Sequence, residues 1–393
     1  TDRDGPDGSP VVSPDGRRIA WIGFDEQRRG YENALLHVMN IDGSDRRVLT
    51  EDLDRSVGDP RWHGNGDGVF VSLDDLGIRR IAHVGLSGRV SVYDHDVSGE
   101  APGRPYTSGS FTVAGDGSYA FTEGSVDRPA DVAVARMGRN ARTLTSLNED
   151  LLSQRTLARV ERITWQSSHD DREIEGWVAY PPDYEDGRSY PLILEIHGGP
   201  YAAYGPNFSA EIQRYAAEGY VVLYANPRGS TSYGAEFAQL IQHAYPGNDY
   251  DDLMSGVDAL VERGIADPGR LYVTGGSGGG VLTAWIVGKT DRFRAAVVAK
   301  PVINWYSFVL TSDAPGFFYR YWFSAPPWDD PEQYMRRSPI SLVGNVKTPT
   351  MVITGEADYR TPMSESEQYY TALKIRGVPA ALVRIPDTPH DFA

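Results

Sequence analysis

The chain of 393 residues contains no cysteine. That absence removes disulfides, thiol catalysis and thiolate metal sites, and it leaves the compartment undecided. No apolar run approaches the ~18 residues of a membrane-spanning helix. A basic excess is missing too: 38 Lys and Arg stand against 54 Asp and Glu, a formal charge of −16. Such a balance argues against nucleic acid or an anionic membrane as a partner. It names no substrate, because acidity of this kind is common on ordinary proteins. No G-K-[ST] follows the glycine-rich stretch and no acidic residue marks a ribose site, so nucleotide binding has no support. The start, Thr1-Asp2-Arg3-Asp4-Gly5, carries no secretory signal. That start need not be the start of the gene product.

What is present is concentrated at residues 271–282, Leu-Tyr-Val-Thr-Gly-Gly-Ser-Gly-Gly-Gly-Val-Leu. A β-rich run delivers the chain to Ser277, with Gly275 two before and Gly279 two after, and an apolar run resumes at Val281. This is G-x-S-x-G between a strand and a helix, the nucleophile elbow of an α/β-hydrolase. Side chains at the flanking positions would collide, and glycine tolerates the backbone angles that the turn needs. By itself the motif also fits an ordinary tight turn.

An α/β-hydrolase requires an acid and then a histidine, each on a loop after a strand. The strand at 350–354 runs into Gly355-Glu356-Ala357-Asp358-Tyr359-Arg360-Thr361-Pro362, and the strand at 381–385 runs into Pro386-Asp387-Thr388-Pro389-His390. Ser277, Asp358 and His390 therefore occur in the required order. A serine hydroxyl is a poor nucleophile at neutral pH, so His390 would take its proton. Asp358 would fix the imidazole tautomer and stabilise its cation. Glu356 and Asp387 are rival acids; Asp358 is preferred because it lies further out on its loop. A buried-strand run at 190–196 ends in His197-Gly198-Gly199-Pro200. In such a loop one oxyanion donor is expected, here the N–H of Gly199, with the second at the residue after the nucleophile, Gly278. Donors of this kind contribute about 3–4 kcal/mol each to the transition state. Pro200 has no N–H and cannot serve, and His197 is read as support for the loop.

These segments, together with Asn226-Pro227-Arg228-Gly229-Ser230-Thr231-Ser232-Tyr233-Gly234, resemble the prolyl oligopeptidase family of serine peptidases, especially its acylaminoacyl-peptidase and dipeptidyl-peptidase-like bacterial members. The resemblance is strong over roughly residues 160–393 and weak before them. It implies a β-propeller lid ahead of the hydrolase domain and cleavage of short peptides. One position departs from the pattern: many members carry tyrosine after the nucleophile, where this chain has Gly278. The main-chain donor survives that change, but a side chain of the pocket wall is lost.

The first 150 residues repeat. Asp15-Gly16, Asp67-Gly68 and Asp116-Gly117, 52 and 49 residues apart, each precede a strand, and a second strand follows each time. A period near 50 with short strands and turn glycines points to propeller blades. Three blades fall short of the about 4–8 of a closed propeller, so either the propeller is incomplete in this chain, which is the expectation, or the repeats form something else. The chain also stops three residues after His390, ahead of the helix that usually closes the fold. Domains are expected at 1–150 (blades) and 151–393 (catalytic). The second has alternating strands and helices, hence a mostly parallel, doubly wound sheet.

Asp249, Asp251 and Asp252 are read as acids complementing a helix start, and 42–45 as a turn, because a calcium loop would need a glutamate at its far end; no metal or cofactor is expected. The aromatic-rich insert between the strands at 294–299 and 350–354 suggests a wall for the substrate side chain next to the scissile bond. Trp305 and Tyr306 are the candidates there. Arg228 is assigned to substrate binding, with bracing of the site as its other reading. The function expected is peptide hydrolysis through an acyl-enzyme. An esterase, an isopeptidase acting on a constrained peptide and a non-catalytic binding module are the alternatives. The partner expected is a peptide, with neither nucleic acid nor membrane, and a homo-oligomer is compatible with the sequence.

Overall fold

A computed structural model describes residues 1–391. The chain divides into two compact units. The first comprises 1–156 with 205–210 and 231–238; the second comprises 157–204, 211–230 and 239 onward.

The first unit is built from three antiparallel modules. The strands β1 (Asp7–Val12), β2 (Arg18–Gly23), β3 (Leu35–Asn40) and β4 (Arg47–Val48) form one four-stranded sheet. The second module is β5 (Val57–Trp62), β6 (Gly68–Asp75), β7 (Ile78–Gly85) and β8 (Val90–Val97). The third is β9 (Phe111–Val113), β10 (Ser118–Ser125), β11 (Arg128–Arg136) and β12 (Arg142–Thr143). It is joined to the second by one residue pair, Glu123 with Val97. A short helix, α1 (Glu149–Leu152), ends the run. Each module opens on a hairpin closed in the same way. The N–H of Gly16 donates to Ser13 O, that of Gly66 to His63 O and that of Gly117 to Ala114 O. All three glycines lie at positive φ, 72°, 74° and 76°, which is the left-handed conformation that glycine adopts without penalty. The structural repeat is therefore carried by Gly16, Gly66 and Gly117. In the second module the Asp-Gly pair that marks the repeat in sequence lies just past the turn glycine. Successive modules bury inward-facing β-branched and aromatic residues against each other: Val38, Val69, Val71 and Val84 in one cluster, Phe70, Ile81, Phe111 and Phe121 in the next.

The second unit is an α/β-hydrolase fold around an eight-stranded sheet in the order β13-β14-β16-β15-β17-β18-β19-β20. The strands are β13 (Arg159–Gln166), β14 (Glu173–Tyr180), β15 (Tyr190–Ile196), β16 (Val221–Asn226), β17 (Ala266–Gly276), β18 (Phe293–Ala299), β19 (Thr350–Gly355) and β20 (Ala380–Ile385). β13, β14 and β16 pair antiparallel; from β16 through β15 to β20 every pair is parallel. Strands covered on both faces read as continuous apolar runs, and Val221, Val222 and Leu223 in β16 and Leu192 and Leu194 in β15 are fully buried. β17 starts five residues earlier than its apolar core, because Ala266 pairs with Tyr190 before a register shift through Asp267-Pro268-Gly269. Its helices are α2 (Ala210–Ala217), α4 (Asp249–Glu262), α5 (Gly278–Lys289), α6 (Trp305–Thr311), α7 (Pro315–Tyr321), α8 (Pro331–Arg336) and α9 (Met363–Ile375), with a 3₁₀ turn at Pro339–Asn345, while α3 (Ala235–Gln239) falls almost wholly in the segment 231–238 of the first unit.

The acidic start of α4 serves a purpose beyond the helix dipole. Asp252 is wholly buried and accepts from Arg228 through Nη2 (2.8 Å), Nε (3.0 Å) and the backbone N–H (2.8 Å). Asp170, in the β13–β14 turn, takes Nη2 at 2.9 Å, and Ser167 lies 3.2 Å away. Burial alone would lower the Arg228 pKa; the hydrogen bonds and charges of Asp252 and Asp170 outweigh it and raise it. This network ties the loop after β16 to α4 and to the edge of the sheet. Removing the cation would leave Asp252 buried and unpaired, which typically costs about 3–5 kcal/mol. Arg228→Met should therefore lower the unfolding free energy obtained from a urea titration by about that much, seen as a lower midpoint at unchanged slope, while the KM of a small ester substrate stays unchanged; an unaltered midpoint would refute the bracing role.

Candidate active site

Ser277 stands between β17 and α5 with φ 59° and ψ −119°. These are left-handed angles that a residue with a side chain rarely adopts, and strain of this kind is characteristic of functional sites. Packing enforces it. A β-carbon on Gly275 would lie 2.6 Å from Gly279 O and 2.8 Å from Ile196 O, and one on Gly279 only 2.1 Å from Ile196 O. The ends of β15 and β17 and the first turn of α5 thus meet main chain against main chain, and only glycine fits beside Ser277. The Ser277 N–H donates to Ala299 O at 3.0 Å, anchoring the turn to β18.

The structure brings Asp358 and His390 to this serine. His390 Nδ1 lies 2.7 Å from Asp358 Oδ2, and His390 Nε2 lies 3.0 Å from Ser277 Oγ. Asp358 is 2% exposed. Its Oδ1 accepts the N–H groups of Arg360 and Thr361 at 3.0 and 2.8 Å, and its Oδ2 accepts the Thr361 hydroxyl at 2.9 Å. Burial would raise its pKa; the hydrogen bonds from His390 and Thr361 outweigh burial and hold it below the ordinary carboxylate value. An ionised Asp358 demands the proton on Nδ1, which leaves the Nε2 lone pair facing the serine hydroxyl. Glu356 is turned instead to Arg384, at 2.8 Å, and Asp387 is exposed. Lys300, at the end of β18, donates to the carbonyl of His390 at 2.7 Å. Sequence reasoning did not single out Lys300, since nothing in its neighbourhood marks a contact 90 residues away.

Gly199 and Gly278 lie side by side: a β-carbon on Gly278 would sit 3.0–3.1 Å from the C, N and O atoms of Gly199. A tyrosine at position 278 would therefore press directly on the Gly199 loop. The N–H of Gly278 belongs to the first turn of α5, where no acceptor exists within the helix. The N–H of Gly199 donates no loop hydrogen bond among the described residues. His197 holds this loop from behind. Its Nδ1 is 2.7 Å from Gly198 O and its Nε2 is 2.9 Å from Ser230 Oγ. Burial pushes its pKa down to about 4, so at neutral pH it is an uncharged strut.

Beside Ser277 opens a cavity of about 410 Å³ lined by Gly199, Gly278 and His390 and walled by Val302, Trp305, Phe308, Phe317, Phe318 and Trp322. The rings pack on one another, Phe308 and Phe318 edge to face with centroids 4.6 Å apart and Trp305 and Trp322 tilted with centroids 5.4 Å apart. Two expectations are corrected here. Tyr306 is not among the lining residues. One helical step from Trp305 carries it about 100° round the axis, and its ring packs on Tyr334. Arg228 does not line the cavity either, because its guanidinium is consumed by Asp252 and Asp170. Two lining residues had escaped notice, Tyr201 and Tyr245. Tyr201 follows the His197–Pro200 loop directly, which was an available signal. Tyr245 has none; its hydroxyl reaches Gly278 O at 2.6 Å from a remote loop. Among the described residues no group of three or more His, Cys, Asp or Glu is placed to hold a metal ion.

The sequence profile of the prolyl oligopeptidase family matches residues 206–393. The chain is 35% identical over 382 residues to an uncharacterized peptidase of Bacillus subtilis, YuxL, covering 92% of this chain and 57% of that protein. It is 27% identical to dipeptidyl-peptidase 5 of Aspergillus oryzae, covering 98% and 53%. Among solved structures it superimposes on the acylaminoacyl peptidase of Pyrococcus horikoshii with a TM-score of 0.85 at 26% identity, covering 97% of this chain and 59% of that one. The chain thus spans little more than half the length of these relatives. Residues 206–393 thus belong to the prolyl oligopeptidase family.

Proposed function

We propose that this chain acts as a serine peptidase on short peptides, forming an acyl-enzyme at Ser277. The observation that carries the reading is the unbroken hydrogen-bonded line from Asp358 through His390 to Ser277 at the mouth of an aromatic cavity. In this reading His390 Nε2 takes the hydroxyl proton as Ser277 Oγ attacks the scissile carbonyl carbon. The N–H groups of Gly199 and Gly278 receive the charge that develops on the carbonyl oxygen. Asp358 stabilises the imidazolium, which returns its proton to the leaving amine. Water then enters, deprotonated by the same imidazole, and releases the acid product.

The residue on the acyl side of the cleaved bond places its side chain in the cavity, and the density of rings favours an apolar or aromatic one. A similar acylaminoacyl peptidase, 25% identical with a TM-score of 0.83, has been solved in complex with Z-Gly-Gly-Phe-chloromethyl ketone, a phenylalanyl reagent consistent with such a wall. The N-terminal β-modules are assigned the part of a lid that limits substrates to short chains, as the family resemblance implies.

The reading is tested with a panel of acetyl-aminoacyl, free dipeptidyl and N-blocked internal peptide amides beside a p-nitrophenyl ester. Amide turnover supports it, and ester turnover alone hands the function to an esterase. Ser277→Ala should abolish both turnover and fluorophosphonate labelling with an unshifted thermal midpoint; label found on another serine would show the nucleophile misassigned. Asp358→Asn should lower kcat by roughly 10⁴, the size of the corresponding loss in the chymotrypsin-type triad, because the amide cannot hold the Nδ1–H tautomer. Near-normal turnover in that variant would reassign the acid.

A further inference from the structure

The wall of the cavity is held by a buried carboxylate that takes no part in the proposed chemistry. Glu365, in the first turn of α9, is 0% exposed. Its Oε2 accepts the N–H groups of Ile303 and Asn304 at 2.9 and 2.8 Å. Its Oε1 accepts the Ser307 hydroxyl at 2.6 Å and the Gln368 amide at 3.3 Å. Asn304 in turn caps α6, its Oδ1 accepting from Tyr306 N and Ser307 N, and its Nδ2 donates to Gln368 Oε1 at 3.0 Å. The residues Glu365 grips alternate with those that line the cavity: Val302, Trp305 and Phe308 face the space, while Ile303, Asn304 and Ser307 turn to the carboxylate.

Four neutral donors converge on this group, and no cation pairs with it among the described residues. A buried carboxylate without a counter-charge is costly, and an apolar residue of the same size would fill the space without that cost. What an apolar residue could not supply is a pair of acceptors for the N–H groups just ahead of α6. α9 also begins directly after the loop that carries Asp358, so one element anchors both the acid loop and the wall.

We propose that Glu365 is a positioning residue that fixes the α6 wall and thereby sets the preference for a bulky acyl-side residue. This rests on the reading of the cavity as the acyl-side pocket of Ser277. The test uses the full chain as Glu365→Leu and Glu365→Gln. Each is assayed for the rate of fluorophosphonate labelling and for kcat and KM on two N-acyl p-nitroanilides that differ only in phenylalanine against alanine. Glu365→Leu should reduce the Phe/Ala ratio of kcat/KM by about tenfold or more, mainly through a higher KM for the phenylalanyl substrate, with labelling within about threefold of the parent. Glu365→Gln keeps one oxygen for both N–H groups and can donate to Ser307 Oγ, which still bonds Asn304 O; it should retain the ratio within about threefold. An unchanged ratio in a labelled Glu365→Leu protein overturns the proposal, as does an equal loss in Glu365→Gln. If Glu365→Leu gives no folded protein, Ser307→Ala decides: a fall of about threefold or more in the ratio supports the proposal, and no change overturns it. A parent protein that takes no label at Ser277 would instead sink the underlying functional reading.

Discussion

Everything in the catalytic unit depends on a place where no β-carbon fits. At the ends of β15 and β17 the main chains of Ile196, Gly275 and Gly279 approach so closely that a methyl group on either glycine would overlap a carbonyl oxygen. This contact holds Ser277 at positive φ and sends α5 away with its first N–H groups beside the Ser277 hydroxyl. The same closeness brings Gly278 against Gly199, so the two amides assigned to the oxyanion are set by main-chain packing. Backbone groups held this way have little freedom to reorganise, which is what electrostatic stabilisation of a transient charge requires.

Around that fixed centre, buried polar groups act as tie points between loops that the sheet alone would leave loose. Arg228 binds Asp252 and Asp170, His197 ties the Gly198–Gly199 turn to Ser230, the half-buried Lys300 holds the carbonyl of His390 and Glu365 holds the start of α6. Each spans segments far apart in sequence. Buried polar groups are tolerated only when satisfied, so such ties are specific: a shifted loop would strand a charge or a donor. Polar ties therefore give the loops a precision that apolar packing, indifferent to small slides, would not.

The parts legible in the sequence were those dictated by local chemistry. The elbow, the strand-loop contexts of Asp358 and His390 and the His197–Pro200 loop each announce themselves within a dozen residues, because the turn or strand end that makes them is built locally. The alternating pattern of the second unit was readable for the same reason: buried parallel strands need apolar runs and crossover helices. The repeat of the first unit was legible in period, while its true equivalence, Gly16 with Gly66 and Gly117, emerged only from backbone angles. Asp67-Gly68 looks like the same turn, but Gly68 already pairs in β6.

Sequence alone determined which residue types could perform the chemistry and in what order, since nucleophile, acid and base are constrained by their reactivity and by the strand ends that present them. Tertiary structure decided which side chains share a space. Trp305 faces the cavity and Tyr306 does not, because a helix rotates successive residues apart and α6 is clamped in one orientation. Arg228 is a brace because two carboxylates, one of them 24 residues away and the other 58, surround it. Tyr245 belongs to the wall because its loop folds over Gly278. Such outcomes rest on contacts across the fold, and no local window of the chain contains both partners.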